Sequence, residues 1–233
     1  MFANMVPLDP ERHAHKRILR PSGYDFAQSW ELIPIGFSEI VPCSMWYPVF
    51  FARREERYGV FAMLGAGNTN IFVNPDGTWK TGIIPSLVRA YPFSLSPTPE
   101  GDFTILVDES ALTEEKGEPL FEEKGQPSPY LENIKTELTR IAQDLHRAES
   151  MLKEVAEEGL LTLLSVKHSF TFGSLDLKNA LTTNMHAFIK IKPEKLYYFN
   201  TKGYLPLLFT QNFSLRNFAL FEIFKEYQGQ IPF

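Results

Sequence analysis

The sequence predicts an α+β fold, in which a mixed or antiparallel sheet of short strands packs against two long helices. Short β-favouring runs, separated by proline, glycine or charge, occupy much of residues 32–107. Apolar residues recur at helical spacing over residues 129–158, and a very apolar stretch follows at residues 204–227. Strands and helices in separate regions of a chain are typical of the α+β class.

Chain length and composition favour one domain. With 233 residues and 44% hydrophobic content, the chain can bury a sizeable core. We therefore predict a single domain over residues 1–233. Residues 1–23 are polar and mixed in charge, which predicts an extended N-terminal arm laid over the surface.

Charge and cysteine content limit the function classes. A net charge of -5 argues against a dedicated nucleic-acid binder. Cys43 is the sole cysteine, so no intrachain disulfide is possible and a reducing compartment is favoured. The first twenty residues are too charged for a signal peptide, and prolines interrupt the weakly charged stretch Leu32 to Ala52. We expect a cytoplasmic protein without a membrane span, while an uncleaved C-terminal export signal stays an open alternative.

The first half of the chain is predicted to be mainly β structure. Asn74, Pro75, Asp76 and Gly77 form a strong turn signal, which predicts a hairpin that joins Ile71 to Trp79. The predicted strands are Leu32–Val41, Tyr47–Arg53, Tyr58–Leu64, Asn70–Val73 and Phe103–Val107.

The first long helix has the clearest pattern in the chain. Ser128 can cap it, Pro129 suits its first turn, and Gly159 is a natural stop. Steps of three and four residues place one set of apolar side chains on a single face. This predicted stripe consists of Tyr130, Ile134, Leu138, Ile141, Leu145, Ala148, Leu152 and Val155.

After Gly159 the sequence predicts two strands and then the second long helix. One strand carries His168, Phe170 and Phe172 on one side. The other strand carries Met185, Ala187, Ile189 and Ile191 on one side. The helix predicted from Tyr204 to Tyr227 is apolar on more than one face, which indicates burial in the core or in a partner.

Two groups of residues could carry chemistry. In a strand, His13 and His15 would point the same way and could supply two nitrogens to a metal, although no third ligand lies nearby. Solvated histidines on a surface arm are the alternative. Asp108 and Glu109 could act as paired carboxylates, but neighbours on a strand point apart, so one of them is expected to cap or to pair with an arginine. No nucleophile or phosphate-binding motif is present.

The order of several motifs runs through the whole chain. The most specific segment contains Ile84, Pro85, Arg89, Tyr91, Pro92 and Phe93. Others are Val6-Pro7-Leu8 with Glu11-Arg12-His13, Asp76-Gly77 with Trp79, Asp108-Glu109-Ser110, and Ser214-Leu215 with Asn217-Phe218. With these motifs the sequence resembles the SapC family of bacterial proteins.

The resemblance implies a link to surface-layer or outer-surface protein systems, including type I secretion, and attaches no reaction to the family. No catalytic residue can therefore be transferred to this chain, and its catalytic residues stay unknown. From charge, aromatic character and position we predict binding residues at Arg89, Tyr91, Phe93, Asp108, Glu109, Phe218 and Phe221.

Three functional hypotheses follow. The leading one is a non-enzymatic accessory protein in biogenesis or export of a bacterial surface-layer or surface protein, without a cofactor. It would recognise a polypeptide client or secretion component through an aromatic groove or the C-terminal helix. The alternative is a metal-dependent enzyme acting on a protein or peptide, with His13, His15 and a distant carboxylate as ligands of a divalent metal. The third is a homo-oligomer built through the C-terminal helix.

Overall fold

The computed structural model describes residues 4–98, 102–123 and 125–231. The strands are β1 Met5–Pro7, β2 Arg17–Ile18, β3 Leu32–Ile35, β4 Val49–Arg54, β5 Arg57–Met63, β6 Gly65–Ala66, β7 Thr69–Asn70, β8 Phe93–Pro97, β9 Phe103–Asp108, β10 Leu112–Thr113, β11 Glu118–Pro119, β12 Leu161–Phe170 and β13 Gly173–Thr183. The α-helices are α1 Ile40–Ser44, α2 Ser86–Arg89, α3 Pro129–Glu157, α4 Pro193–Thr201, α5 Tyr204–Ser214 and α6 Phe221–Glu226.

Helices and antiparallel strands together confirm the predicted α+β class. The described chain divides into two compact units. The first contains residues 1–22 and 86–143, and the second contains residues 23–85 and 144–233. A single domain over residues 1–233 stays a prediction.

The first unit is built on two small antiparallel sheets. One has the order β1-β9-β8, and the other has the order β10-β2-β11. The N-terminal segment contributes a strand to each sheet, because β1 pairs with β9 and β2 lies between β10 and β11. These backbone hydrogen bonds hold residues 5–18 to the rest of the unit.

The second unit contains a five-stranded antiparallel sheet with the order β12-β13-β4-β5-β3. Its core is rich in aromatic and aliphatic side chains, among which Tyr47, Phe51 and Phe72 are fully buried. The predicted turn is present: the Gly77 amide donates to the Asn74 carbonyl over 3.0 Å, and Val73 bridges Trp79. Gly77 has a φ of +79°, which glycine adopts without steric cost.

Strands β12 and β13 form a long hairpin at one edge of this sheet. The register shifts between Leu164 and Val166, and Asn179 on the opposite strand has a φ of +59°. This irregularity is a β-bulge, which bends the hairpin locally. The pairing of β13 with β4 is short, since it joins Ala180 to Ala52 and Leu181 to Phe51.

Helix α3 follows the predicted pattern. Ser128 Oγ accepts a hydrogen bond from the Leu131 amide over 3.1 Å, so it is the predicted N-cap. Gly159 follows the end of the helix with a φ of +68°. Within the predicted stripe Leu138, Ile141, Ala148, Leu152 and Val155 are buried, and the other members are half-buried.

The second predicted helix is not continuous. Residues 204–226 form α5, a 3-10 segment over Leu215–Leu220, and α6. Two buried polar side chains mark the end of α5: Gln211 donates to the Val49 carbonyl over 2.8 Å, and Ser214 Oγ accepts from the Val49 amide over 2.9 Å. These bonds hold α5 on β4, and the chain continues after Ser214 as the 3-10 segment.

The strand predicted around residues 185–191 is wrong. Strand β13 ends at Thr183, and Ala187–Lys190 form a 3-10 turn. Asn184 Oδ1 accepts from the Ala187 amide over 3.3 Å, and such a side-chain bond offers the backbone an alternative to a strand. The apolar alternation was misleading, since Ile189 points into solvent.

The strand predicted over Leu32–Val41 is also shorter than expected. It ends at Ile35, and residues 37–44 form a 3-10 turn and α1. Asp144, on α3, accepts hydrogen bonds from the Ser38 amide over 2.9 Å and from the Ser38 hydroxyl over 2.7 Å. These hydrogen bonds stabilise the 3-10 turn, which is present where the sequence predicts a strand.

Candidate functional site

The two histidines proposed as metal ligands lie in different environments. They lie in a turn rather than in the strand that would align them, and His13 is 1% exposed whereas His15 faces solvent. His13 Nδ1 lies 3.0 Å from both the amide nitrogen and the carbonyl oxygen of Asp9. The His13 side chain is therefore held by the backbone of Asp9 within the same turn.

Metal coordination needs several converging ligands. Within residues 4–98, 102–123 and 125–231, no group of three or more His, Cys, Asp or Glu side chains could hold a metal ion. The metal-dependent alternative gains no support from this arrangement.

Asp108 and its neighbours form a hydrogen-bonded cap in the first unit. Asp108 Oδ1 accepts from the Ser110 amide over 2.9 Å, and Oδ2 accepts from the Tyr91 hydroxyl over 3.0 Å. Burial and the adjacent carboxylate raise the pKa of Tyr91. These hydrogen bonds stabilise the 3-10 turn after β9, and they give Asp108 a structural role.

The other predicted binding residues of this unit also have local partners. Glu109 pairs with Arg12, Arg89 donates to Ser86 Oγ over 3.0 Å, and Phe93 packs against the ring of Tyr130. The pairing of Glu109 with an arginine agrees with the expectation for one of the two carboxylates. Binding roles for these side chains stay predictions.

The two predicted C-terminal residues pack on each other. Phe221 is 0% exposed, and its ring lies 5.7 Å from that of Phe218 and 5.5 Å from that of Phe170. Phe221 is therefore part of the core, and a partner could not reach its side chain. Phe218 is half-buried beside it.

The second unit contains a polar cleft that the sequence did not reveal. Its volume is about 700 Å³, within the size range of small-ligand pockets. Its walls come from the segment before β3, from the β7 region with the following turn, and from the end of α6. The lining residues are Gln28, Ser29, Asn68, Thr69, Asn70, Val73, Asn74, Pro75, Lys80, Lys225, Glu226, Tyr227 and Gln228.

A buried lysine is the most unusual residue of this cleft. Lys80 is 3% exposed, and its ammonium donates to the carbonyls of Phe224 over 2.7 Å and Lys225 over 3.3 Å. These are carbonyls of the last turn of α6, which lack helical partners. Burial, and then the positive charge of Lys225, lower the pKa of Lys80 to about 8.

Two buried carboxamides hold the cleft wall in shape. Asn70 donates to the Ala27 carbonyl over 3.1 Å and accepts from the Phe72 amide over 2.9 Å. Asn74 Nδ2 donates to the Gly229 carbonyl over 3.2 Å, which fastens the C-terminal segment to the turn. The cleft therefore has a fixed polar wall.

An exposed apolar surface leads to the cleft along α6. Ile223 lies in α6, Leu220 directly precedes this helix, and Tyr227 directly follows it. They are 38%, 59% and 40% exposed, and Tyr227 also lines the cleft. We call these three side chains the apolar strip.

Sequence reasoning found part of this arrangement. The apolar C-terminal stretch was recognised, but periodicity could not separate the buried Phe221 from the exposed Ile223 because the helical path is broken. Lys80 gave no signal, since a single lysine after a turn is usually solvated.

The structure is that of an α+β protein with a polar cleft next to exposed apolar residues of the C-terminal segment. A family model described as SapC matches residues 8–220, and the chain therefore belongs to the SapC family. Comparisons with curated proteins and with solved structures returned no match. Across the described residues, no helix is both long and apolar enough to span a membrane.

Proposed function

We propose that this protein is a non-enzymatic accessory protein in the biogenesis or export of a bacterial surface-layer or surface protein, and that it recognises a polypeptide partner. The family's setting in surface-protein loci supports the biological role. The physical support comes from the second unit, where the apolar strip adjoins the polar cleft.

The observation that carries the proposal is the exposure of the strip. Leu220, Ile223 and Tyr227 present apolar surface in α6 and directly beside it, although buried neighbours such as Phe221 and Phe224 already supply the contact of this segment with the core. Contiguous apolar surface beside polar groups is typical of protein-binding sites. Its exposure therefore favours a partner that covers it.

A polypeptide suits both parts of this surface. Its apolar side chains can cover the strip, and its backbone amides can pair with the carboxamides and hydroxyls of the cleft rim. An aromatic anchor at the junction is typical of binding hot spots, and Tyr227 occupies that position.

The test is binding of the purified surface protein encoded in the same locus, measured by calorimetry. Ile223→Asp should weaken binding by about tenfold or more, which corresponds to about 1.4 kcal/mol. The matched control is Ile189→Asp, at an exposed isoleucine of the same unit outside strip and cleft, and it should bind like the wild type. Equal affinities of both variants, or no binding by folded wild-type protein, would contradict the proposal.

The same samples test the homo-oligomer hypothesis. Light scattering of the wild type and of Ile223→Asp gives their molar masses without a client present. A wild-type dimer that Ile223→Asp converts into a monomer would assign the strip to a second copy of this chain instead of a client.

A further inference from the structure

The charge of Lys80 is incompletely compensated. Among the described residues, no carboxylate forms an ion pair with it, and its two acceptors are neutral carbonyls. The end of a helix supplies only a partial negative charge, of about half an elementary charge. An ammonium has three N–H donors, so one of them has no acceptor in the described part of the protein. A bound anion would complete this environment.

A second cation strengthens the positive potential of the cleft. Lys225 lines it, and its charge acts on Lys80. Glu226 is the acidic residue of the lining, and in the described chain it forms no ion pair with either lysine. The lining is therefore net positive in a protein whose overall charge is -5. Charge complementarity favours an anionic ligand.

The rim of the cleft suits the groups that accompany a peptide carboxylate. Ser29, Asn68 and Gln228 are exposed, and Thr69 is half-buried. Their hydroxyls and carboxamides can donate to and accept from backbone amides. Asn70 and Asn74 are already engaged within the wall, so the rim residues are the ones available to a ligand.

We propose that the cleft around Lys80 binds the C-terminal carboxylate of the polypeptide whose apolar side chains cover the strip. This inference rests on the proposed function and names the part of the client that the cleft recognises. A chain end brings a formal negative charge and has no following residue to accommodate, so it fits a cleft of limited volume. Tyr227 joins the two surfaces, and the last residues of the client would pass over its ring.

The test uses small peptides and does not depend on the identity of the client. The probes are N-acetyl-Leu-Ala-Phe with a free carboxylate, the same peptide as its C-terminal amide, and N-acetyl-Leu-Asp-Phe-amide. Their dissociation constants are measured on the full chain by NMR titration. The free acid should bind at least tenfold more tightly than either amide. Equal binding of acid and amide would overturn the inference, and tight binding of the internal Asp peptide would assign the cleft to acidic side chains.

Two lysine variants locate the effect. Lys80→Met should abolish the preference for the free acid, and Lys225→Met, at an exposed position that does not challenge folding, should reduce it several-fold. The matched control Lys190→Met, an exposed lysine outside the cleft, should keep the full preference. An unchanged preference in Lys225→Met would contradict the cleft as the site.

The pH dependence separates recognition from a merely structural helix cap. The charged or titratable groups that line the cleft around Lys80 are Lys225, Glu226 and Tyr227. Since the pKa of Lys80 is about 8, its positive charge is lost as the pH rises through this value. Affinity for the free acid should therefore fall several-fold between pH 7 and pH 9, while affinity for the amide stays constant. A flat profile for the acid would show that Lys80 only caps α6.

Failure of this inference differs from failure of the proposed function. If the surface protein binds through Ile223 but the acid and amide peptides bind with equal affinity, the cleft does not recognise a C-terminal carboxylate and the proposed function stands. If the acid peptide is preferred but the surface protein does not bind, the cleft assignment stands and the client is another polypeptide.

Discussion

Helix α3 and the C-terminal segment from Tyr204 to Glu226 are both predicted from the sequence as long helices, yet they fold differently. Helix α3 is continuous from Pro129 to Glu157, whereas the C-terminal segment is divided into α5, a 3-10 segment and α6. The difference lies in the distribution of apolar side chains. A single apolar stripe needs contacts on one side of a helix, whereas apolar residues on several sides need contacts on several sides.

The positions of the polar side chains also differ between α3 and the C-terminal segment. Helix α3 has paired charges outside its stripe, such as Glu149 with Lys153 at 3.1 Å. The C-terminal segment uses Gln211 and Ser214 inside the core, where they satisfy the backbone of Val49. A buried polar group has to reach a particular partner, and both of these residues lie in the last turn of α5.

The largest expected effect is at Phe221 in the C-terminal segment. Phe221→Ala should lower the free energy of unfolding by about 3–5 kcal/mol, because it removes a fully buried ring from the core of the second unit. Urea denaturation measures the change. Ile223→Ala, at an exposed neighbour, should stay within about 0.5 kcal/mol of the wild type. Similar losses for both variants would mean that this segment has no distinct buried side.

The next effect concerns the stripe of α3. Leu152→Ala should lower the free energy of unfolding by about 2–5 kcal/mol, since this side chain is 0% exposed. The matched substitution is Arg140→Ala on the exposed side of the same helix, for which a change within about 0.5 kcal/mol is expected. A small loss for Leu152→Ala, again measured in urea, would show that one stripe does not hold α3.

A smaller effect is expected at the start of α3. Ser128→Ala removes the acceptor for the Leu131 amide and should lower the free energy of unfolding by about 1 kcal/mol. Ser128→Asp retains an acceptor and should recover most of the loss. If alanine and aspartate destabilise equally, the serine acts through its other hydrogen bond, to the Pro119 carbonyl at 2.6 Å.

The smallest effect concerns the charges of α3 and depends on pH. Burial acts to raise the pKa of Glu149, but hydrogen bonds from Arg57 and Lys153 outweigh it, and the pKa is lowered overall. A carboxylate with a lowered pKa stabilises the folded state above its unfolded pKa and loses this contribution as the pH falls.

Wild-type protein should therefore lose more stability than Glu149→Gln between about pH 5 and about pH 3. Parallel urea titrations at several pH values measure the difference. The effect is modest because Arg57 and Lys153 are partly exposed and solvent screens them. Identical pH profiles of the two proteins would show that the charge of Glu149 does not contribute to the stability of the folded state.

Sequence reasoning succeeded where one periodic pattern dominated. The stripe and cap of α3 and the turn at Asn74–Gly77 depend on neighbouring residues, so they could be predicted. The strand predicted near Ile189 failed because Asn184 bonds to the local backbone and ends the extended conformation. The environment of Lys80 depends on carbonyls far along the chain, at Phe224 and Lys225, and no local pattern reports such a contact.

The β12–β13 hairpin has a consequence for colloidal behaviour. Strand β12 is ten residues long and forms the outer edge of its sheet, with Leu163 turned to solvent. Other chains can add strands to a long, flat sheet edge, and this addition can start amyloid-like aggregation. The bulge lies at Asn179 on the neighbouring strand β13, and Lys167 places a charge on the edge strand itself; both features work against the addition of a further strand.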